Sequence, residues 1–411
     1  MDTRFCSMSC LLKASLALLL SYHAALAQPK SEGLNNLIGL RLWIDNQLWD
    51  DKASFTAHRL GLEGTVNNDR SFYRGATTRG MKSLGADLYA LDLYAEQGYV
   101  QRVVLGFINK ADLASAYRTA KISDFDKDAE LDFLKIKATL SARLGSSKIL
   151  ENYEVWTWIG HDFILSKGRE ALTLTIQKNN QAVVTAPNQP IMESSQARNP
   201  PSHYLKRTGS GDIYIDALPP ISQGNRNYCV PASWEKLLRH FGLGVNVYEL
   251  AQKGGTQIQG TMYMPFAKQM EHFLSPANYK VQYLPNDETE LEAIQRSINQ
   301  GLPVIWALNA NLLPYWIERT SKRGNQLPTS SIISTQSLSP AYHALLIIGY
   351  NKSYREIALS DSTELGSSAL QIWITEAEMM DASVKSTPKI VVIPPSSIGV
   401  TSPGFIKSRS Y

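Results

Sequence analysis

From Asp212 onward the chain shows two hydrophobic periods. Trp234, Leu237, Leu238 and Phe241 recur at i, i+3, i+4 and i+7, the stripe of one helix, and Gly242 follows where a cap is wanted. Residues Ala232–Phe241, Met264–Phe273 and Glu290–Asn299 all carry helical spacing. The runs PVIWALN, HALLIIGY, EIALS, LQIWIT and KIVVIPP are short, apolar and β-branched, as strands are. Helices come mostly first and strands later, which predicts an α+β arrangement with an antiparallel sheet and not a parallel βαβ array. Upstream, residues 86–109 alternate apolar and polar positions, break at Glu96-Gln97-Gly98 and resume, a hairpin signal. Leu131, Leu134, Ala138 and Ala142 keep helical spacing as far as Gly145, and YEVWTWIG and ALTLTIQ supply further strands. This first half reads as a separate α+β domain. Its tryptophans, Trp43, Trp49, Trp156 and Trp158, are expected in its core because such rings bury large areas.

Composition marks the boundaries. Residues 178–211 are rich in Asn, Gln, Pro and Ser without a sustained period, as an exposed connector would be. At the N-terminus Arg4 and Lys13 precede an apolar run from Ala14 to Leu20, and Ala25-Leu26-Ala27 forms a small-x-small site. That pattern predicts a signal peptide cleaved after Ala27 and a secreted or periplasmic protein. The expected organisation is therefore a signal peptide at 1–27, an N-terminal α+β domain at 28–177, a linker at 178–211, a catalytic-type domain at 212–393 and a tail at 394–411. Cleavage would remove Cys6 and Cys10 and leave Cys229 alone, so no internal disulfide is expected. A formal net charge of +4 is too mild to argue for nucleic acid. No later apolar stretch reaches spanning length, so no stable membrane span is expected after cleavage.

The remaining cysteine stands in SQGNRNYCVPASWEKLLRHFG, residues 222–242, just ahead of the first helical stripe. Pro231 has the backbone angle of a first helical position, which puts Cys229 at a helix N-terminus, where unsatisfied N–H groups and the dipole favour a thiolate. The plainer alternative is a small apolar thiol packed behind the helix, the commoner fate of a lone cysteine. A nucleophilic thiolate needs a base. His58 and His161 belong to the first half and His203 to the connector, His272 lies in another helical stretch, and His240 is about 16 Å along the cysteine's own helix at ~1.5 Å per residue. His343 opens the run His343–Tyr350 and is the best placed. That run and residues 356–361 flank the polar turn Asn351–Arg355. In an antiparallel hairpin centred on residue 352, His343 faces Asp361; centred on 353, Asp361 becomes its diagonal neighbour. Asp361 could hold one ring nitrogen and present the other to the thiolate, or it could be a turn residue bonded to its own backbone. Gln223, six residues before the cysteine, could offer its amide N–H to an oxyanion beside the Cys229 backbone N–H, or be an ordinary polar loop residue.

Taken in chain order, QGNRNYCVPASWEKLLRHFG, YHALLIIGYN and IALSDS resemble the C39-like family of papain-like cysteine peptidases, over residues 212–380. The resemblance implies a helix carrying the cysteine packed on an antiparallel sheet carrying His and Asp. It assigns Gln223 as oxyanion donor, Cys229 as nucleophile, His343 as general base and Asp361 as its orienter, with a peptide or protein as substrate and no cofactor or metal. Val230 departs from the glycine usual beside the nucleophile, which would narrow the cleft or signal lost activity. Relatives on ABC transporters trim leader peptides after a double glycine, but GxxxxGK[ST] is absent from the chain, as are GxSxG and HExxH. The expected function is a secreted thiol hydrolase working through an acyl-enzyme. Two alternatives stand beside it: an acyltransferase or cell-wall amidase using the same nucleophile, and a catalytically inactive binding protein.

Overall fold

The computed structural model describes residues 31–44, 48–67, 70–76, 81–109, 122–150, 153–168, 171–179, 200–216, 218–219, 221–223, 227–257, 260–321, 342–363, 371–384 and 387–395. The expected signal peptide and most of the expected linker and tail lie outside the described residues.

Helices α1 (Ser31–Ile38) and α2 (Ala53–Leu60) precede strands β1 (Glu63–Asn67), β2 (Arg70–Ala76), β3 (Lys82–Ser83), β4 (Ala86–Asp87), β5 (Ala90–Glu96) and β6 (Tyr99–Asn109). Helix α3 (Ile122–Leu144) and strands β7 (Lys148–Leu150), β8 (Tyr153–Trp158), β9 (His161–Lys167) and β10 (Ala171–Lys178) complete the first half. Eight of these strands form one antiparallel sheet in the order β1-β2-β5-β6-β10-β9-β8-β7. The β5–β6 hairpin turns at Gln97 and Gly98, both at positive φ (52° and 78°), the primed geometry that matches strand twist. All four tryptophans of this half are buried. The expected helix is present, but its face is rotated: Ala129, Ile136 and Leu140 are buried, while Leu131 and Leu134 are about half exposed. The covered face thus runs through Ala129, Ile136 and Leu140, and the two leucines chosen on spacing alone lie off it.

The second half begins inside the stretch that composition marks as connector. Leu205–Arg207 is a strand, β11, paired with β12 (Asp212–Ile215). Three residues are too few to display a period, which is why the sequence concealed them. Helices α4 (Cys229–His240), α5 (Val247–Lys253) and α6 (Tyr263–Leu274), strand β13 (Lys280–Tyr283) and helix α7 (Glu290–Asn299) follow. Then come β14 (Val304–Asn309), α8 (Leu313–Ser321), β15 (Tyr342–Asn351), β16 (Glu356–Ser360), β17 (Ile372–Thr375), α9 (Glu376–Ala382) and β18 (Ile390–Ile393). Every pairing is antiparallel, the order being β11-β12-β15-β14-β18-β13 with β16 and β17 extending from β15. Strand β15 is the spine: β12 and β14 share one of its edges and β16 takes the other. This is the mixed helix and antiparallel sheet architecture read from the sequence.

Each half has its own large apolar core. A smaller cluster joins them, in which Ala90, Tyr94, Val104 and Ala171 of the first sheet meet Ile221, Tyr228, Ala232, Val247, Tyr248 and Ala251 of the second half. Arg102 Nη1 donates to the Gly244 carbonyl at 2.8 Å across this junction, and the Arg239 guanidinium lies 4.3 Å from the Tyr94 ring centroid. Among the described residues no helix is long and apolar enough to cross a membrane.

Candidate active site

Helix α4 begins at Cys229 itself, with Pro231 third in the helix. Proline fits anywhere in the first turn, because no N–H there has an intrahelical partner. Tyr228 occupies the cap position without a capping side-chain bond, so the dipole end of the helix sits at the sulfur. Two stripes run down α4. Val230, Trp234, Leu237, Leu238 and Phe241 fill the main core. Cys229, Ser233, Lys236 and His240, at i, i+4, i+7 and i+11, form a second stripe, half-buried at Cys229 and buried at the other three. Ser233 Oγ donates to the Ala344 carbonyl at 3.0 Å, and His240 Nε2 lies 2.9 Å from the Gly301 carbonyl. The first bond ties the helix to the start of β15 and the second to the segment that precedes β14. Val230, which departs from the family pattern, is 4% exposed and part of the core, so its side chain is spent on packing.

His343 is the second residue of β15, and Asp361 follows the last residue of β16. Their meeting depends on one irregularity. Near the turn Asn351 pairs Glu356, Tyr350 pairs Ile357 and Gly349 pairs Ala358; beyond it Ile347 pairs Leu359 and Leu346 pairs Ser360. Ile348 is bulged out. Continued past Ser360, this register puts Asp361 opposite Leu345 and diagonal to His343 on the same face. Without the bulge Asp361 would point to the other face, since a one-residue slip inverts every side chain. Gly349, beside the bulge, has no room for a Cβ, which would meet the Tyr214 Cβ at 2.5 Å and the Ile213 carbonyl at 2.6 Å.

His343 Nε2 donates to Asp361 Oδ1 at 2.5 Å. The carboxylate also accepts from the Ser362 backbone N–H on Oδ1 at 2.7 Å and from Thr363 Oγ1 on Oδ2 at 2.5 Å. Asp361 therefore makes the local bonds of a turn residue and the histidine bond together. Buried Lys236 donates to the Asp361 carbonyl and to Ser360 Oγ, the latter at 3.2 Å. Burial works against charge on Asp361, but the imidazole of His343 and the bonds from Thr363 bring its carboxyl down to about 2. Burial likewise opposes the imidazolium, yet the charge and hydrogen bond of Asp361, aided by Cys229, push His343 up to about 10. With Nε2 engaged by the carboxylate, Nδ1 is the nitrogen left for the sulfur. Burial raises the Cys229 thiol, while the hydrogen bond and charge of His343 and the Ala344 backbone N–H outweigh it and bring the thiol below its ordinary value. Burial lowers Lys236 to about 8, against the attraction of Asp361.

Gln223 is tied to the far side of the same segment. Its backbone N–H donates to the Ser362 carbonyl at 2.6 Å, and Ser362 Oγ donates to Gln223 Oε1 at 3.0 Å. The structure thus brings Cys229, His343 and Asp361 into one chain of contacts and fastens Gln223 to the residue after Asp361. The other histidines are elsewhere: His58, His203 and His272 are exposed, and His161 is buried in the first half. Sequence reasoning overlooked Lys236, Ser362 and Thr363. The signal for Lys236 was present in the covered polar stripe of α4; Ser362 and Thr363 looked like ordinary turn formers.

Residues 215–383 match the family model described as the Peptidase_C39 like family. The match falls within the C-terminal half, and over those residues the chain is similar to that family. No curated protein matches the sequence. Solved structures similar to part of the chain include a double glycine motif protease from an AMS/PCAT transporter in complex with the leader peptide, with 13% identity, a TM-score of 0.26, and cover of 43% of this chain and 89% of that one. The peptidase domain of Streptococcus ComA, a bi-functional ABC transporter involved in a quorum sensing pathway, has 14% identity, a TM-score of 0.28, and cover of 43% and 97%. Xylellain, a cysteine protease from Xylella fastidiosa, has 12% identity, a TM-score of 0.30, and cover of 51% and 96%.

Proposed function

We propose that the protein is an exported thiol hydrolase that cleaves a peptide or other amide bond through a Cys229 acyl-enzyme, its catalytic domain preceded by a second α+β domain. The observation that carries this reading is the line from Cys229 through His343 to Asp361, with the thiol's proton affinity lowered and the imidazole's raised. That pairing favours a thiolate and an imidazolium in the resting enzyme. The thiolate attacks the scissile carbonyl carbon, and the carbonyl π pair moves onto oxygen. Gln223 and the Cys229 backbone N–H donate to that oxyanion. Its collapse breaks the C–N bond, and imidazolium supplies the proton to the leaving amine. Water then attacks the thioester, His343 takes its proton, and the acid leaves as the thiolate reforms. Asp361 holds the ring in the orientation that serves both halves of the cycle.

The basic residues, apolar run and Ala25-Leu26-Ala27 site support export with cleavage after Ala27, and N-terminal sequencing of the protein recovered outside the cytoplasm tests it. The chemistry is tested by labelling the mature protein with a small thiol electrophile, with and without Cys229, beside turnover of a peptide library. Rapid labelling at neutral pH and Cys229-dependent cleavage are expected; an unreactive thiol would return the protein to a peptidase-like binding role. Product analysis with an added amine acceptor separates hydrolysis from acyl transfer.

A further inference from the structure

We propose that Ser362 is a positioning residue that sets the orientation of the Gln223 carboxamide, so that the strand end at 360–363 holds the acid of the catalytic line and its oxyanion donor together. This rests on the catalytic reading above. A side-chain amide has a donor end and an acceptor end that differ little in shape, and only the N–H end can stabilise a developing oxyanion. The choice between the ends has to be made by a neighbour. Ser362 makes it, because its fully buried hydroxyl donates to Gln223 Oε1 at 3.0 Å and thereby turns the amide's donor end away from Ser362. The backbone bond from Gln223 N–H to the Ser362 carbonyl, 2.6 Å, fixes the distance at which that hydroxyl works.

Ser362 is itself anchored. Its own N–H donates to Asp361 Oδ1, the oxygen that also accepts from His343 Nε2. One carboxylate oxygen is therefore shared by the imidazole and by the backbone that carries the serine. Lys236 closes the bracket from below through the Asp361 carbonyl and Ser360 Oγ. Any displacement of the strand end moves the ring's orienter and the amide's orienter together, which couples two parts of the site that are 120 residues apart in the sequence at Gln223 and His343. The side chain of Ser362 reaches only the Gln223 arm; the Asp361 arm uses its backbone. Substitution of the side chain thus separates the two.

Ser362→Ala should lower kcat about tenfold, the scale of one buried hydrogen bond, with KM unchanged. Ser362→Thr keeps the hydroxyl and should recover most of the loss. In a Gln223→Ala background, Ser362→Ala should have no further effect, because the residue acts through Gln223. The pH dependence of Cys229 alkylation should be the same in Ser362→Ala as in wild type, since the thiolate pair is untouched. Independently of turnover, the side-chain 15NH2 resonances of Gln223 should move and exchange faster in Ser362→Ala. Additive losses in the double variant, or an unchanged Gln223 amide signal, would overturn the proposal. Wild-type protein without Cys229-dependent cleavage would instead defeat the catalytic reading, while the amide resonances would still decide whether Ser362 orients Gln223.

Discussion

The two halves of the molecule each bury a histidine against a sheet, and the two rings are treated in opposite ways. In the first half His161 has Trp43 Nε1 donating to its Nε2 at 3.0 Å, with the Trp158 and Ile159 carbonyls at Nδ1. No carboxylate is bonded to it among these contacts. Burial holds it below the ordinary histidine range, and the two carbonyls only partly offset this. In the second half His343 is largely enclosed, its side chain 9% exposed, and Asp361 raises it to about 10. The first is a neutral strut among Trp43, Trp49 and Trp158; the second is a charge held ready. Burial of a titratable group is thus no sign of catalysis by itself. What distinguishes the second half is a saturated carboxylate on one side of the ring and a half-buried thiol on the other.

The largest effect expected from this contrast is in turnover. Cys229→Ala and His343→Ala should each reduce peptide cleavage to background, measured as kcat/KM on one substrate, while the circular dichroism melt stays close to wild type. A Cys229→Ala protein that still cleaves would break the contrast outright. The pH range follows from the signs of the shifts. The thiolate is present above the lowered Cys229 value, and the imidazolium is lost as pH rises through about 10. Alkylation of Cys229 should therefore become fast at a lower pH than that of an ordinary thiol. Stability has the matching signs: the Asp361 contribution is present above the ordinary carboxylate range of ~4 and lost as pH falls toward about 2, and the His343 contribution is present below ~6.5 and lost as pH rises through about 10.

Asp361→Asn should come next. An amide keeps the shape but removes the charge that raises His343, so the alkaline limb of the alkylation profile should move down and kcat should fall, though less than in His343→Ala. An Asn variant with wild-type profile would leave only the turn bonds to Ser362 and Thr363 as the role of Asp361. The sequence located both residues but left their register open between two turn centres. The observed pairing places Asp361 diagonal to His343, and it does so through a bulge at Ile348. A bulge adds no distinctive letter to a run such as HALLIIGY. The crowding that requires Gly349 comes from Tyr214, about 135 residues earlier in the chain, and local pattern cannot supply it.

Gln223→Ala is expected to cost about 10² to 10³ in kcat with little change in KM, the scale of one oxyanion donor. A loss confined to KM would make Gln223 a substrate contact. How much of its surroundings was legible differs sharply by element. The apolar stripe of α4 and the strands at 356–360 and 390–393 were plain, because a buried face repeats at the period of its element. The bracket formed by Lys236, Ser360 and Ser362 was not, because each is a common polar residue whose meaning depends on what the third dimension sets opposite it. In the first half the same limit hid which face of α3 is covered.

The smallest effect tests the other side of the comparison. His161→Phe preserves a ring of similar bulk among the tryptophans but removes the acceptor for Trp43 Nε1 and the donor to the Ile159 carbonyl. A buried indole N–H left without its partner costs about 1–3 kcal/mol, partly recovered by the added apolar surface. The urea midpoint of the full chain should fall accordingly, and the unfolding transition of the first half, followed by its tryptophan fluorescence, should carry the change. kcat and KM should stay within twofold of wild type, because the ring is neutral and belongs to a different core from the one that holds Cys229. If His161→Phe instead removed activity at unchanged stability, the two buried histidines would share one function. The cluster that holds Tyr94, Tyr228 and Ala232 would then be the path to examine, since it packs the first sheet against residues near Cys229.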